Sequence, residues 1–477
     1  MSHLSTVQRV AKNTSIIIVG NVIFRIISLF VIIYLARYLG TAEFGKYSFI
    51  FAYLAFFGIL TDLGLNTILV REMSRDKSIA PKLIGNAYII RWILTVFAIV
   101  LSIAVITLMS YPADTTTYIY MAAFILLFQS FTGFYSTIFQ ANLRMEYNIF
   151  ARLAFRVLSA GLILCIIFAN GTLLQVIFAL VFSEGVKTLI NYSFSRKFVR
   201  PKFVIDFGLW KYLFKEALPL ALSSVILVIY YQIDMVMLSI MQGDVAVGIY
   251  SAAHKLFDPL LLIPNALMMS MFPIMSASFK SSNERLIKSY RLSLKYLLIM
   301  ALPIVIGVTL LSDKIILLIY GLSYANSATV LQILILALVF TSMGSVLLYL
   351  LVSIGKQKLN TVTHTLCAIV NVVLNLILIP LLSYNGAAIA TLFTNIVLLL
   401  ASFYFLSKHL QLPSVYKMLI KPVISGLIMG AFIYYFTDLN LFLLIGLAGL
   451  VYFTALLLLK TFSEEDWNII KKIVSKR

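Results

Sequence analysis

Charge is scarce in this chain. Only 12% of its 477 residues are Asp, Glu, Lys or Arg, and only 18 residues are acidic. With hydrophobic residues at 62% and a mean hydropathy of +1.02, too little polar surface remains to cover a soluble domain of this length. The two cysteines, Cys165 and Cys367, both lie inside apolar runs, which argues against a disulfide framework and offers no Cys/His metal site. Neither G-x-x-x-x-G-K-[ST] nor H-E-x-x-H occurs, so ATP-driven work within the chain and zinc hydrolysis are not expected, and no cofactor or metal is. Long polar loops are missing too. The longest connection, Ser195 to Lys215, is too short to fold by itself, so any function must be performed inside a membrane. The first apolar run is too long for a cleavable signal, lacks a small-residue cleavage site and is followed by many similar runs.

What is present is a succession of apolar runs, each near the ~20 residues that span a bilayer as a helix. Fourteen are read at 13–39, 44–69, 84–110, 116–139, 150–169, 172–194, 216–240, 247–275, 292–311, 325–353, 360–380, 385–407, 417–436 and 440–460. With the N-terminus inside, most of the 37 Lys and Arg fall on one side, and only Arg37, Lys46 and Lys314 on the other. That asymmetry predicts a multi-pass protein of the cell (plasma or inner) membrane with both termini cytoplasmic. It also accounts for the net charge of +19 without invoking nucleic acid.

The corner Gly40-x4-Gly45-x-Tyr47-Ser48 recurs as Gly243-x4-Gly248-x-Tyr250-Ser251, 203 residues later. The copies stand before the second and eighth spans. An even offset of six spans makes them parallel repeats, related by an axis along the membrane normal; chance placement of turn glycines is the other explanation. The fold class expected is all-α: two six-helix lobes at 1–200 and 201–410, then two additional helices and a cytoplasmic tail at 411–477. Pro219, Pro259, Pro264, Pro273 and Pro303 interrupt the seventh to ninth spans, either as hinges or as static kinks.

Charges within spans are costly and therefore informative. Glu184 and Lys187 are three apart, and His254, Lys255 and Asp258 share one helix face, so structural pairing is the plain reading of both sets. Arg152 and Arg156 lie near a span end, where they can snorkel to lipid phosphate, as can Arg91. Asp62 can cap its span or pair with loop arginines. Arg25 and Asp234 have no opposite charge within four residues on their own helices and occupy equivalent spans, the first and the seventh. Substrate-binding candidates for a diphosphate or anionic glycan are Arg25, Arg91, Arg156 and Lys255, because guanidinium binds phosphate bidentately. Ion-coupling candidates are Asp234, Asp258 and Glu184, with a structural pair between Asp234 and Lys255 as the alternative.

The ordered set Arg25, Tyr34-Leu35-Ala36-Arg37-Tyr38-Leu39-Gly40-Thr41-Ala42-Glu43-Phe44-Gly45-Lys46-Tyr47, Asp62-Leu63-Gly64-Leu65, Val70-Arg71-Glu72, and later Tyr320-Gly321 with Val330-Leu331-Gln332-Ile333-Leu334, resembles the polysaccharide-transporter (Wzx-type) flippases of the multidrug/oligosaccharidyl-lipid/polysaccharide (MOP) exporter superfamily. The resemblance implies two six-helix bundles in a V, as in MATE transporters, and alternating access driven by proton or sodium antiport. It also implies translocation of a polyprenyl-diphosphate-linked oligosaccharide (an O-antigen or surface-polysaccharide unit) to the outer leaflet, with Arg25 matching the family's first-span arginine. Expected partners are that substrate, membrane lipids, and a glycan polymerase with other assembly proteins. The alternatives are a MATE-type exporter of small cations, which needs acidic residues to dominate the cavity, and a membrane glycan polymerase or ligase. The latter chemistry needs catalytic residues on a sizeable outer loop, which this chain lacks.

Overall fold

A computed structural model describes residues 6–413, 416–462, 464 and 466, with side chains from Ile27 onward except Lys280 and Lys417. The described residues are helical and contain no strand. By packing, the chain divides into two compact units, Met1–Gly248 and Ile249–Arg477. The first holds α1 (Thr6–Leu60), α2 (Leu65–Arg75), α3 (Ala80–Leu108), α4 (Ala113–Ala122), α5 (Phe124–Ala141), α6 (Glu146–Phe168), α7 (Leu173–Ser195) and α8 (Phe207–Gln242). Next come α9 (Asp244–Phe257), whose first turn belongs to the first unit, then α10 (Leu262–Ser281), α11 (Asn283–Ile319), α12 (Ser327–Ser353), α13 (Gln357–Ser407), α14 (Tyr416–Tyr435) and α15 (Leu441–Leu458). The packing boundary at 248/249 differs from the repeat boundary read at 200/201: α8 opens the second repeat in sequence, yet it packs on α1, α2 and α3.

Twelve helices among the described residues are long and apolar enough to cross a membrane. Two of them are double. The 55 residues of α1 would extend roughly 80 Å if straight, far beyond a hydrocarbon core of ~30 Å, and they break at Gly40. The 51 residues of α13 break at Ser383, where the halves fold back so closely that a Cβ on Gly386 would lie 2.2 Å from the Leu378 carbonyl oxygen. Counting both halves of each brings the total to about the fourteen expected.

One expected span is corrected and another is kinked. The run 44–69 is not one helix: α1 ends at Leu60, a turn occupies 61–64 with Leu63 at φ 46° and Gly64 at φ 81°, and α2 leaves as a separate short helix. The run 247–275 stands as one candidate span, Asp244–Phe279, kinked by a 3-10 turn at Asp258–Leu261, where Pro259 withholds its N–H donor.

The repeated corner is a structural repeat as well. Gly40 (φ 71°, ψ 177°) and Gly243 (φ 78°, ψ −176°) share a backbone conformation open essentially only to glycine. The second glycines of each copy then seat reciprocally. A Cβ on Gly45 would lie 1.8 Å from the Asp244 carbonyl oxygen, and one on Gly248 would lie 1.9 Å from that of Thr41. Thr41 and Asp244 are themselves 203 residues apart, so each copy presents its glycine to the same position of the other. Lipid gives helices no hydrophobic reason to associate; close backbone approach over small residues, with Cα–H···O contacts, supplies one instead.

The linker between α7 and α8 is strapped to α3. The Lys202 amide donates to the Pro81 carbonyl (2.9 Å), and the strand of linker passes so near Gly85 that a Cβ there would meet the Lys202 oxygen at 1.9 Å. Asn86, fully buried, uses its whole hydrogen-bonding capacity: Nδ2 donates to the Lys82 and Val204 carbonyls (2.9 and 2.8 Å), and Oδ1 accepts from the Asp206 amide and the Trp210 indole (both 2.9 Å). The Lys82 ammonium, 2.6 Å from Asp206, holds that carboxyl below the usual carboxylate range. In the second unit, α14 and α15 pack on α11, with the Tyr452 hydroxyl donating to the Ile299 carbonyl (3.0 Å). Buried Asp466 pairs with Lys295 and accepts from the Tyr296 hydroxyl (2.7 Å), both on α11.

Candidate functional site

The break at 61–64 creates a polar interior feature of the first unit. Because α1 stops at Leu60 instead of running on, the Asp62 side chain turns toward α3, and a cavity of about 350 Å³ opens among the end of α1, the turn, α2, α3 and α5. Phe51, Asp62, Asn66, Arg91, Gln129 and Ser130 contribute to its wall. Arg91, only 1% exposed, is the largest fully buried side chain of the described residues. Its Nη2 donates to Asp62 Oδ1 (2.9 Å) and Asn66 Oδ1 (2.7 Å), its Nη1 to the Ser130 carbonyl (3.4 Å), and its guanidinium stands 5.7 Å from the Phe134 ring centre. Asp62 Oδ1 also accepts the Asn66 amide (3.1 Å).

An ionised arginine removed from water costs several kcal/mol unless paired and hydrogen-bonded, so Asp62 is what makes Arg91 tolerable there. The pairing is incomplete. Arg91 Nε is buried and makes no hydrogen bond, and the Gln129 amide, on the exposed side of the cavity, makes none among the described residues.

Arg91 therefore does not snorkel to lipid, one of the two fates its position allowed. Its partner was missed because Asp62 lies 29 residues away and was read as part of a continuous span; the Asp62-Leu63-Gly64 turn sequence was the available signal. Arg156 belongs to a different cluster. Its guanidinium and the Lys187 ammonium approach the Phe155 ring (5.3 and 4.7 Å), and Arg156 lies within electrostatic reach of Tyr47 and Glu184. Glu184, 2% exposed, pairs with Lys187 as their three-residue spacing predicts.

Asp234 is 5% exposed on α8. In the second unit, Lys255 is half-buried on α9, while His254 Nδ1 and Asp258 Oδ1 pair at 3.2 Å. Arg25 lies on α1, and its side chain falls outside the described residues.

A search confined to charges also misses neutral polar groups. Asn371, Asn375 and Asn395 are buried on α13. Asn375 Nδ2 donates to Asn371 Oδ1 (3.1 Å), the Thr341 hydroxyl to Asn395 Oδ1 (2.7 Å), and Tyr250 and Thr391 share a hydroxyl hydrogen bond (3.2 Å). In a lipid-facing bundle such groups must find partners, and they mark where α12 and α13 bury a polar seam.

Comparison with known proteins bears on what these features serve. The polysaccharide biosynthesis protein family matches residues 10–279, and the MatE family matches 219–377. The probable low-salt glycan biosynthesis flippase Agl15 of Haloferax volcanii is 24% identical over 467 residues, covering 93% of this chain and 94% of its own. An uncharacterized membrane protein of Methanocaldococcus jannaschii is 28% identical over 217 residues, and there the match spans only 43% of either chain. Among solved structures, lipid II flippase MurJ in its inward closed conformation shares the fold with a TM-score of 0.78 at 17% identity, covering 92% of this chain and 97% of that one.

Proposed function

The chain belongs to the polysaccharide biosynthesis protein family, within the MOP superfamily, and from that premise we propose that it is a flippase for a polyprenyl-diphosphate-linked oligosaccharide. The full-length likeness to a glycan flippase carries this reading. Around it stand a duplicated helical architecture with matching glycine corners, and basic residues within the spans, Arg25, Arg156 and Lys255, the fourth candidate, Arg91, being neutralised by Asp62. On this reading both termini are cytoplasmic, as the distribution of lysine and arginine requires, and cargo moves from the cytoplasmic to the outer leaflet. The basic residues attract the diphosphate, arginine by bidentate hydrogen bonding. Transport is coupled to proton or sodium antiport, with buried Asp234 as the first carboxylate to test, ahead of Glu184 and Asp258.

The match to the MatE family gives a second reading, export of a small cationic compound. The excess of basic over acidic residues within the spans weighs against it. The test is Arg25→Ala in a cell whose surface glycan depends on this protein. Export should be lost while the protein remains inserted at normal abundance; normal export would remove Arg25 from the site. In proteoliposomes, uptake of a cationic dye with no movement of the lipid-linked glycan would favour the second reading.

A further inference from the structure

We infer that the first-unit cavity around Arg91 is a subsite for a neutral sugar of the transported glycan, separate from the groups that take the diphosphate. The inference rests on the flippase reading and names the part of the substrate this pocket recognises. At about 350 Å³ the cavity is at the small end of ligand sites, which run ~300–1,000 Å³, and has room for a monosaccharide unit. Its electrostatics decide the class of ligand. Arg91 and Asp62 cancel, so the wall carries no net charge: an anion arriving at Arg91 meets the Asp62 carboxylate at 2.9 Å from it, and a cation arriving at Asp62 meets the guanidinium.

What the wall offers is a mixture of unused donors and acceptors. Arg91 Nε is buried without a partner, Asp62 Oδ2 accepts no hydrogen bond among the described residues, and the Gln129 amide has both a free donor and a free acceptor. The Phe51 ring supplies an apolar face beside them. Vicinal hydroxyls, each donor and acceptor at once, answer such a set; a site built to hydrogen-bond hydroxyls discriminates strongly against ligands without them.

The test is binding by the full-length purified protein in nanodiscs. Four probes are used: the bare polyprenyl diphosphate, and the same carrier bearing one neutral hexose, one N-acetylhexosamine or one hexuronic acid. The wild type should bind at least one neutral glycosylated carrier on the order of tenfold more tightly than the bare carrier, as expected for a few added hydrogen bonds, with no such gain for the hexuronate. Gln129→Leu and Phe51→Leu, each checked for wild-type thermal stability, should bring that preference down to about threefold or less while leaving affinity for the bare carrier unchanged.

Equal wild-type affinity for bare and glycosylated carriers would overturn the proposal, as would preference surviving in both variants, or tightest binding of the hexuronate. Failure to bind any carrier at all would instead overturn the flippase reading, and the subsite with it.

Discussion

The reciprocal seating of Gly45 and Gly248 gives the most direct test of the fold. An added Cβ at Gly45 would stand 1.8 Å from the Asp244 carbonyl oxygen, 2.7 Å from its carbon and 3.0 Å from the Gly248 nitrogen; at Gly248 it would stand 1.9 Å from the Thr41 oxygen and 2.8 Å from its carbon. Nonbonded atoms settle near 3.5–4.0 Å, so relief demands a separation of roughly 1.5 Å. The obstructing atoms are all backbone, and no side-chain rotation helps. Overpacking of this kind costs about 1–3 kcal/mol.

Gly45→Ala and Gly248→Ala should therefore each lower the thermal-unfolding midpoint in detergent, followed by fluorescence-detected size exclusion. Once one alanine has forced the segments apart the second meets less resistance, so the double variant should lose less than the two single losses added together. Gly161→Ala is the control, because its Cβ would meet nothing within 4 Å, and alanine gains up to ~1 kcal/mol over glycine within a helix. Wild-type midpoints for both Gly45→Ala and Gly248→Ala would refute the contact, and additive losses would refute its reciprocity.

The strap and two interior ion pairs make further predictions. Asn86→Ala removes four hydrogen bonds and leaves the Trp210 indole and the Asp206 amide without acceptors; at about 1 kcal/mol each, the linker should loosen and trypsin should cleave at Arg196–Lys202 markedly faster than in wild type. Because Asp206 is held below the ordinary carboxylate range, its contribution to that strap is present above the unfolded pKa and is lost as pH falls through the lower folded value. Pepsin sensitivity of the linker should therefore rise at the acid end, and Lys82→Met should move that rise to higher pH. Arg91→Leu leaves the half-buried Asp62 without its cation and should lower the thermal-unfolding midpoint, whereas Arg91→Leu with Asp62→Leu should recover much of the loss; a double variant as unstable as the single would show that Asp62 is not the compensating charge. Asp466→Asn should destabilise the α11–α14–α15 cluster through Lys295, and a midpoint equal to that of the wild type would mean this ion pair contributes nothing.

The corner was legible because glycine at positive φ is a local requirement written in residue identity, and the second copy repeats both the glycines and their spacing. The spans were legible because membrane crossing needs only composition over some twenty residues. The strap at Asn86 was not, since a neutral residue near the start of a helix carries no signal until the linker returns from 118 residues away to meet it.

Arg91 and Asp62 mark where a search by spacing along one helix stops working. Pairs such as Glu184–Lys187 are visible because helical geometry alone brings them together. Arg91 looked unneutralised because its counter-charge sits on a different helix boundary, at a turn that averaging over an apolar run conceals. The consequence reaches beyond fold prediction. Counting charges along the sequence makes the interior cationic on balance, which favours phosphate; placing Asp62 against Arg91 removes one of those charges and leaves a neutral, hydroxyl-seeking pocket in its place. A carrier lipid bearing both a diphosphate and sugars presents both chemistries, and a transporter that held it by charge alone could not tell a loaded carrier from an empty one.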